Sequence, residues 1–84
     1  MIQLPPIVKP VIIFVKTLNN TNYMIEMDFE DTVYILKNRL FAKCGVSIDK
    51  QRIIFFGKEL NEGKPCIDIK EFSKEGLIHL VILK

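Results

Sequence analysis

The chain has 84 residues, 49% of them hydrophobic and 26% charged, so it can bury one small core and is too apolar to be disordered. Its net charge of +2 comes from lysines and arginines spread along the whole length, which argues against a nucleic-acid surface or an anionic membrane as partner. No apolar run approaches the ~20 residues of a membrane span, and Pro5, Pro6 and Pro10 interrupt an opening stretch that lacks the basic start and cleavage site of a signal peptide.

Two cysteines, Cys44 and Cys66, are too few for a disulfide framework and read as reduced thiols, with cytosol or nucleus as the expected compartment. The single histidine, His79, has no partner at ligand spacing, so neither a metal nor another cofactor is expected. No Ser-His-Asp, Cys-His or phosphate-loop arrangement is present, and Cys44 has no basic neighbour to activate it. The chain does not read as an enzyme.

Residues 1–10, MIQLPPIVKP, read as an arm or linker, because prolines remove backbone donors and favour extended conformations. Residues 11–84 read as one domain. In 11–18, Val11, Ile13 and Val15 alternate with Ile12, Phe14 and Lys16, the period of a strand. The run Asn19-Asn20-Thr21-Asn22 predicts a turn, since Asn tolerates positive φ. A second strand is expected over 23–29, with Tyr23, Ile25, Met27 and Phe29 on one face.

Thr32 is the expected N-cap of a helix, with Glu30 and Asp31 near its positive end. The helix should reach Cys44 and stop at Gly45, burying Val33, Leu36 and Leu40 as one stripe. Residues 51–56 predict a third strand, Phe56-Gly57 a turn, and 58–60 a short fourth strand. Residues 61–65 read as loop, 66–76 as irregular with a helical turn, and 77–83 as a final strand with Ile78, Leu80 and Ile82 inward. The expected class is α+β, a mixed sheet of four to five strands with one helix packed across it. The expected core is Val11, Ile13, Val15, Tyr23, Ile25, Met27, Val33, Leu36, Leu40, Ile53, Leu60, Cys66, Phe72, Ile78 and Leu80.

Three ordered blocks carry more than periodicity: Ile13-Phe14-Val15-Lys16-Thr17-Leu18, Gln51-Arg52-Ile53-Ile54-Phe55 and Ile78-His79-Leu80-Val81. With Asp31-Thr32 before the helix, Gly45 after it and Gly57-Lys58 in the middle, residues 11–83 resemble ubiquitin, with one inserted residue near Lys70-Glu71. The resemblance implies the ubiquitin-like β-grasp fold. It also places Leu18, Ile54, His79 and Val81 at an exposed apolar patch, with Gly57 and Lys16 at its rim. Such a patch on a rigid sheet suits a partner helix or zinc module.

The family's acceptor lysines map to Lys16, Lys37, Lys43, Lys58 and Lys74, while Thr21 and Arg39 occupy two others. The tail departs: it reads Ile82-Leu83-Lys84, with Leu83 where the modifier has an arginine and no Gly-Gly after it. Activation by adenylation needs that slender free end, so this 84-residue chain is not expected to be charged. The implied function is a non-conjugated interaction module for proteins with ubiquitin-binding modules, proteasome subunits among them, as a monomer or weak self-associate. The alternative is a modifier whose Gly-Gly tail lies outside this chain.

The outer sheet face is greasier than in the family. Ile12, Phe14, Met24 and Leu77 would stand there together, with Tyr34 and Phe41 on the outer side of the helix. Scattered exposed apolar residues need no explanation. The alternative is a second contact surface, or one covered by the arm.

Overall fold

The computed structural model describes residues 11–28, 30–69, 73 and 75–83. The arm, Phe29, Lys70-Glu71, Phe72, Lys74 and Lys84 lie outside the described residues. The elements run β1 (Val11–Thr17), β2 (Asn22–Met27), α1 (Val33–Cys44), a 3₁₀ turn (Ile48–Lys50), β3 (Gln51–Phe55), β4 (Lys58–Glu59), a second 3₁₀ turn (Cys66–Asp68) and β5 (Ile78–Ile82). The sheet order is β2-β1-β5-β3-β4, with β1 and β5 parallel and the other pairs antiparallel. One helix lies across this mixed five-stranded sheet, the β-grasp arrangement that the resemblance implies.

Alternation in β1 is complete: Val11, Ile13, Val15 and Thr17 are buried, and Ile12, Phe14 and Lys16 are half-buried on the other side. The hairpin to β2 turns at Asn20, whose φ of 64° lies in the left-handed region that Asn tolerates. The Thr17 N–H donates to the Thr21 carbonyl at 2.9 Å, and the Thr17 hydroxyl bonds the Asn19 side chain. The expected turn is therefore present, with β2 starting one residue earlier than expected.

Thr32 stands at the N-cap in extended conformation, but its side chain makes no capping bond. The first helical donors find backbone acceptors instead. Val33 N–H donates to the Lys64 carbonyl at 2.9 Å and Tyr34 N–H to Glu62 at 3.0 Å. Asp31 serves the entry differently from the expected dipole role, its carboxylate accepting the Asp28 N–H at 2.8 Å and pairing with Arg39 at 3.4 Å. At the other end Gly45 adopts φ 75° and donates to the Phe41 carbonyl, the left-handed stop expected for it.

Val33, Leu36 and Leu40 are fully buried and pack with Ile13, Val15, Ile25, Met27, Ile53, Cys66, Ile78 and Leu80. Four details differ from the expected core. Tyr23 is only half-buried, because it sits near the open end of an edge strand. Ile69 is fully buried although it lies in an irregular stretch with no period to reveal it. Ile82, expected inward, is 44% exposed. It pairs with Gln51 on one side, but β1 has already ended, since Thr17 pairs with Leu80. Lys37 is buried on the helix, with its Nζ 3.9 Å from the Glu62 carboxylate.

Gln51 ties the helix end to the sheet. Its Nε2 donates to the carbonyls of Lys37 and Val46, both at 2.9 Å.

Candidate functional site

The outer side of the sheet is built by the residues that alternate away from the core. In β1 these are Ile12, Phe14 and Lys16, in β3 Arg52 and Ile54, and in β5 His79 and Val81. Strand register sets them side by side. Lys16 pairs with His79, and His79 pairs with Ile54, which in turn pairs with Glu59. One row thus runs Lys16, His79, Ile54, Glu59 across four strands. The next holds Val81 opposite Arg52. Carrying the β1–β5 register one residue further aligns Leu18 with Val81, and Leu18 is 83% exposed.

Ile54, expected to be exposed, is half-buried, as are His79 and Val81. Neighbours on both strands shield their flanks. The cationic edge is held in place: Arg52 Nε lies 3.3 Å from the Glu59 carboxylate, and its Nη1 donates to the carbonyls of Asp49 and Gln51. Gly57 sits at the rim in the two-residue loop joining β3 to β4. Both loop residues have positive φ, 52° at Phe56 and 76° at Gly57, which a twist-matched hairpin loop demands. Glycine adopts this freely, whereas phenylalanine is strained there. Phe56 is 63% exposed and meets the Phe55 ring edge-on at 4.5 Å.

A second apolar row lies one pair away. Phe14 pairs with exposed Met24. The β1–β5 register carried two residues back aligns half-buried Leu77 with Phe14, and the β3–β5 register aligns Phe56 with Leu77. Ile12 is set apart from this row by its partner, Glu26. Phe56 joins the row through the left-handed turn, a conformation that alternation in the sequence does not signal. Tyr34 and Phe41 are exposed on the helix, as expected.

Of the acceptor-position lysines, Lys58 and Lys43 are exposed and Lys16 is half-buried. Lys37 is enclosed, so its amine is a poor acceptor in the folded chain. Lys74 lies outside the described residues. Burial and the charge of Asp31 push the Cys66 thiol up to about 12, so it holds its proton at physiological pH and is no thiolate nucleophile.

The model of the ubiquitin family matches residues 13–84. The chain belongs to the ubiquitin family. It is 37% identical over 73 residues to the ubiquitin-like protein NEDD8 of Dictyostelium discoideum, covering 84% of this chain and 91% of that one. It is 38% identical over 68 residues to the large proline-rich protein bag6 of Xenopus tropicalis, covering 80% of this chain but 6% of the relative. It is 27% identical over 70 residues to the E3 ubiquitin-protein ligase parkin of Rattus norvegicus, covering 83% of this chain and 15% of the relative. This ubiquitin-like domain therefore resembles both a relative of its own length and short stretches of much longer proteins.

Proposed function

We propose that this ubiquitin-like domain is a non-conjugated interaction module. It docks on proteins that carry ubiquitin-binding modules, including receptors and enzymes of the ubiquitin pathway and subunits of the proteasome. The docking surface is Leu18, Ile54, His79 and Val81, with Lys16 and Gly57 at its edge. One observation carries this reading. The strand register sets Lys16, His79 and Ile54 in one row, with Val81 in the next row and exposed Leu18 in line with it. Aliphatic anchors beside cationic neighbours suit burial by a partner with an apolar centre and an acidic rim.

The test is an NMR titration of the labelled domain with a helical ubiquitin-binding module, repeated with Ile54→Ala. Shifts centred on these residues and weaker binding by the variant support the reading. Shifts elsewhere refute it.

A second reading, a conjugated modifier, is favoured by the NEDD8 relative, which is matched over 91% of its length. The sequence encoded after Lys84 separates the two. Arg-Gly-Gly or Gly-Gly there points to the modifier, and a linker with a further domain points to the module.

A further inference from the structure

The β3–β4 hairpin has two sides, and the proposed docking surface uses only one of them. Register places Ile54 opposite Glu59 and Phe55 opposite Lys58. Successive side chains of a strand point to opposite faces, so Phe55 and Lys58 share the side turned away from Ile54. Beside this hairpin lies a hollow of about 450 Å³. Phe55, Phe56 and Leu60 give it an apolar lining. Lys58, Asn61 and Lys64 give it a polar one, and Glu59 also reaches it.

Phe56 suits the hollow to an aromatic guest. It is held at φ 52°, where a bulky residue is strained, and it is 63% exposed. Nothing in the turn requires a phenylalanine, and strain of this kind collects where a ligand is held. Its ring meets the half-buried Phe55 ring edge-on, with centroids 4.5 Å apart and planes at 62°. A third ring adds to such a pair by offset stacking or an edge contact. The volume falls within the range of ligand pockets, about 300–1,000 Å³.

Charge decides what flanks that ring. Glu59 is engaged with Arg52 on the outer side of the sheet, its carboxylate 3.3 Å from Nε. Lys58 is exposed and makes no ion pair among the described residues. Lys64 Nζ lies 3.5 Å from the Asp68 carboxylate, but both side chains are open to water, so that pair is weak and its ammonium can take a second acceptor. We infer that the hollow binds an aromatic side chain of a partner peptide, flanked by carboxylates that meet Lys58 and Lys64. Such a guest pairs an apolar centre with a complementary charged rim.

Composition argues against the other occupants. Residues 1–10 hold no aromatic and no acidic residue, and their one charged side chain is Lys9, so the arm does not match. A second copy docked hollow to hollow about a two-fold axis would set Lys58 and Lys64 against the same cations of its mate.

The experiment titrates the labelled 84-residue chain with a blocked peptide holding one phenylalanine between pairs of aspartates. Two control peptides replace the phenylalanine by alanine, or the aspartates by lysine. The expected result is saturable amide shifts over residues 55–60 and at Lys64 with the first peptide, and little response to either control. Phe56→Asn, which suits the turn, should weaken binding about tenfold or more while the spectrum stays folded. Lys58→Glu should weaken it as well. Ile54→Ala should leave it unchanged, so failure of one surface is distinguishable from failure of the other. The peptide controls decide even if a variant unfolds. Shifts centred away from the hairpin, equal binding of the alanine or lysine peptide, or full binding by folded Phe56→Asn would overturn the proposal. So would a dimer joined through the hairpin, or tighter peptide binding after deletion of residues 1–9, which would make the arm the occupant.

Discussion

Ile54 and His79 face each other directly across β3 and β5, on the side of the sheet away from the helix. Neither strand alone creates this neighbour relation, and the flanking Lys16 and Glu59 make Ile54 an apolar point between charges. Truncating such a central anchor typically removes on the order of 1–2 kcal/mol of binding, about tenfold in affinity. Ile54→Ala should therefore weaken a ubiquitin-binding module by that factor. Because Ile54 is only half-buried, the thermal midpoint should fall little. Calorimetric titration alongside a melt checks both halves.

The helix offers a test of packing. Leu36 is fully enclosed in the buried stripe, whereas Tyr34 is exposed. Leu36→Ala should destabilise the domain by roughly 2–5 kcal/mol through transfer loss and a residual cavity. Tyr34→Ala should cost far less. Urea midpoints of the two variants decide, and equal losses would mean that the buried face is misassigned.

Phe56 is the one bulky residue held at positive φ among the described residues. Asparagine tolerates this conformation and forms the favoured Asn-Gly loop with Gly57. Phe56→Asn should stabilise the fold by about 0.5–1 kcal/mol, less whatever its edge contact with Phe55 contributes. A rise of a few degrees in melting temperature is the expected reading. A fall would mean that the ring contact outweighs the backbone strain.

Cys66 gives a pH test with a definite sign. Its folded thiol is raised from 9.0 to about 12, so above pH 9 the unfolded chain releases a proton that the folded chain keeps. The unfolded state then binds fewer protons, and stability falls as pH climbs from 9 toward 12. The contribution is complete below pH 9. Stability of the Cys66→Ala variant, compared with the parent across that window, isolates it from lysine and tyrosine titration. Parallel pH profiles for the two chains would refute it.

Much of the fold is legible because single elements follow simple periods. Alternation marks β1, the Val33, Leu36 and Leu40 spacing marks the helix stripe, and Gly45 marks its end. What escapes is whatever depends on a distant segment. The helix start looks capped by Thr32, yet its donors bond Glu62 and Lys64. Ile82 reads as inward until strand order shows that no β1 residue flanks it. Ile69 is buried without any period, and Lys37 is hidden on a helix whose charges otherwise read as solvated. The same holds for the outer face. The resemblance names Leu18, Ile54, His79 and Val81, but only the pairing of β5 with both β1 and β3 says which of them are neighbours.

That pairing has a consequence for the growing chain. Of the described strands β5 comes last in the chain, yet it occupies the middle of the sheet, while the β1–β2 and β3–β4 hairpins stand on either side of it. As the nascent polypeptide leaves the ribosome, each hairpin can close locally, but the two have no shared ladder to lock them together. The helix has an incomplete floor until residues 78–82 emerge. The five-residue β5 is the strand that pairs with both halves, so the sheet is continuous only once it is in place. A chain arrested just short of it exposes two raw sheet edges to whatever lies near the exit tunnel.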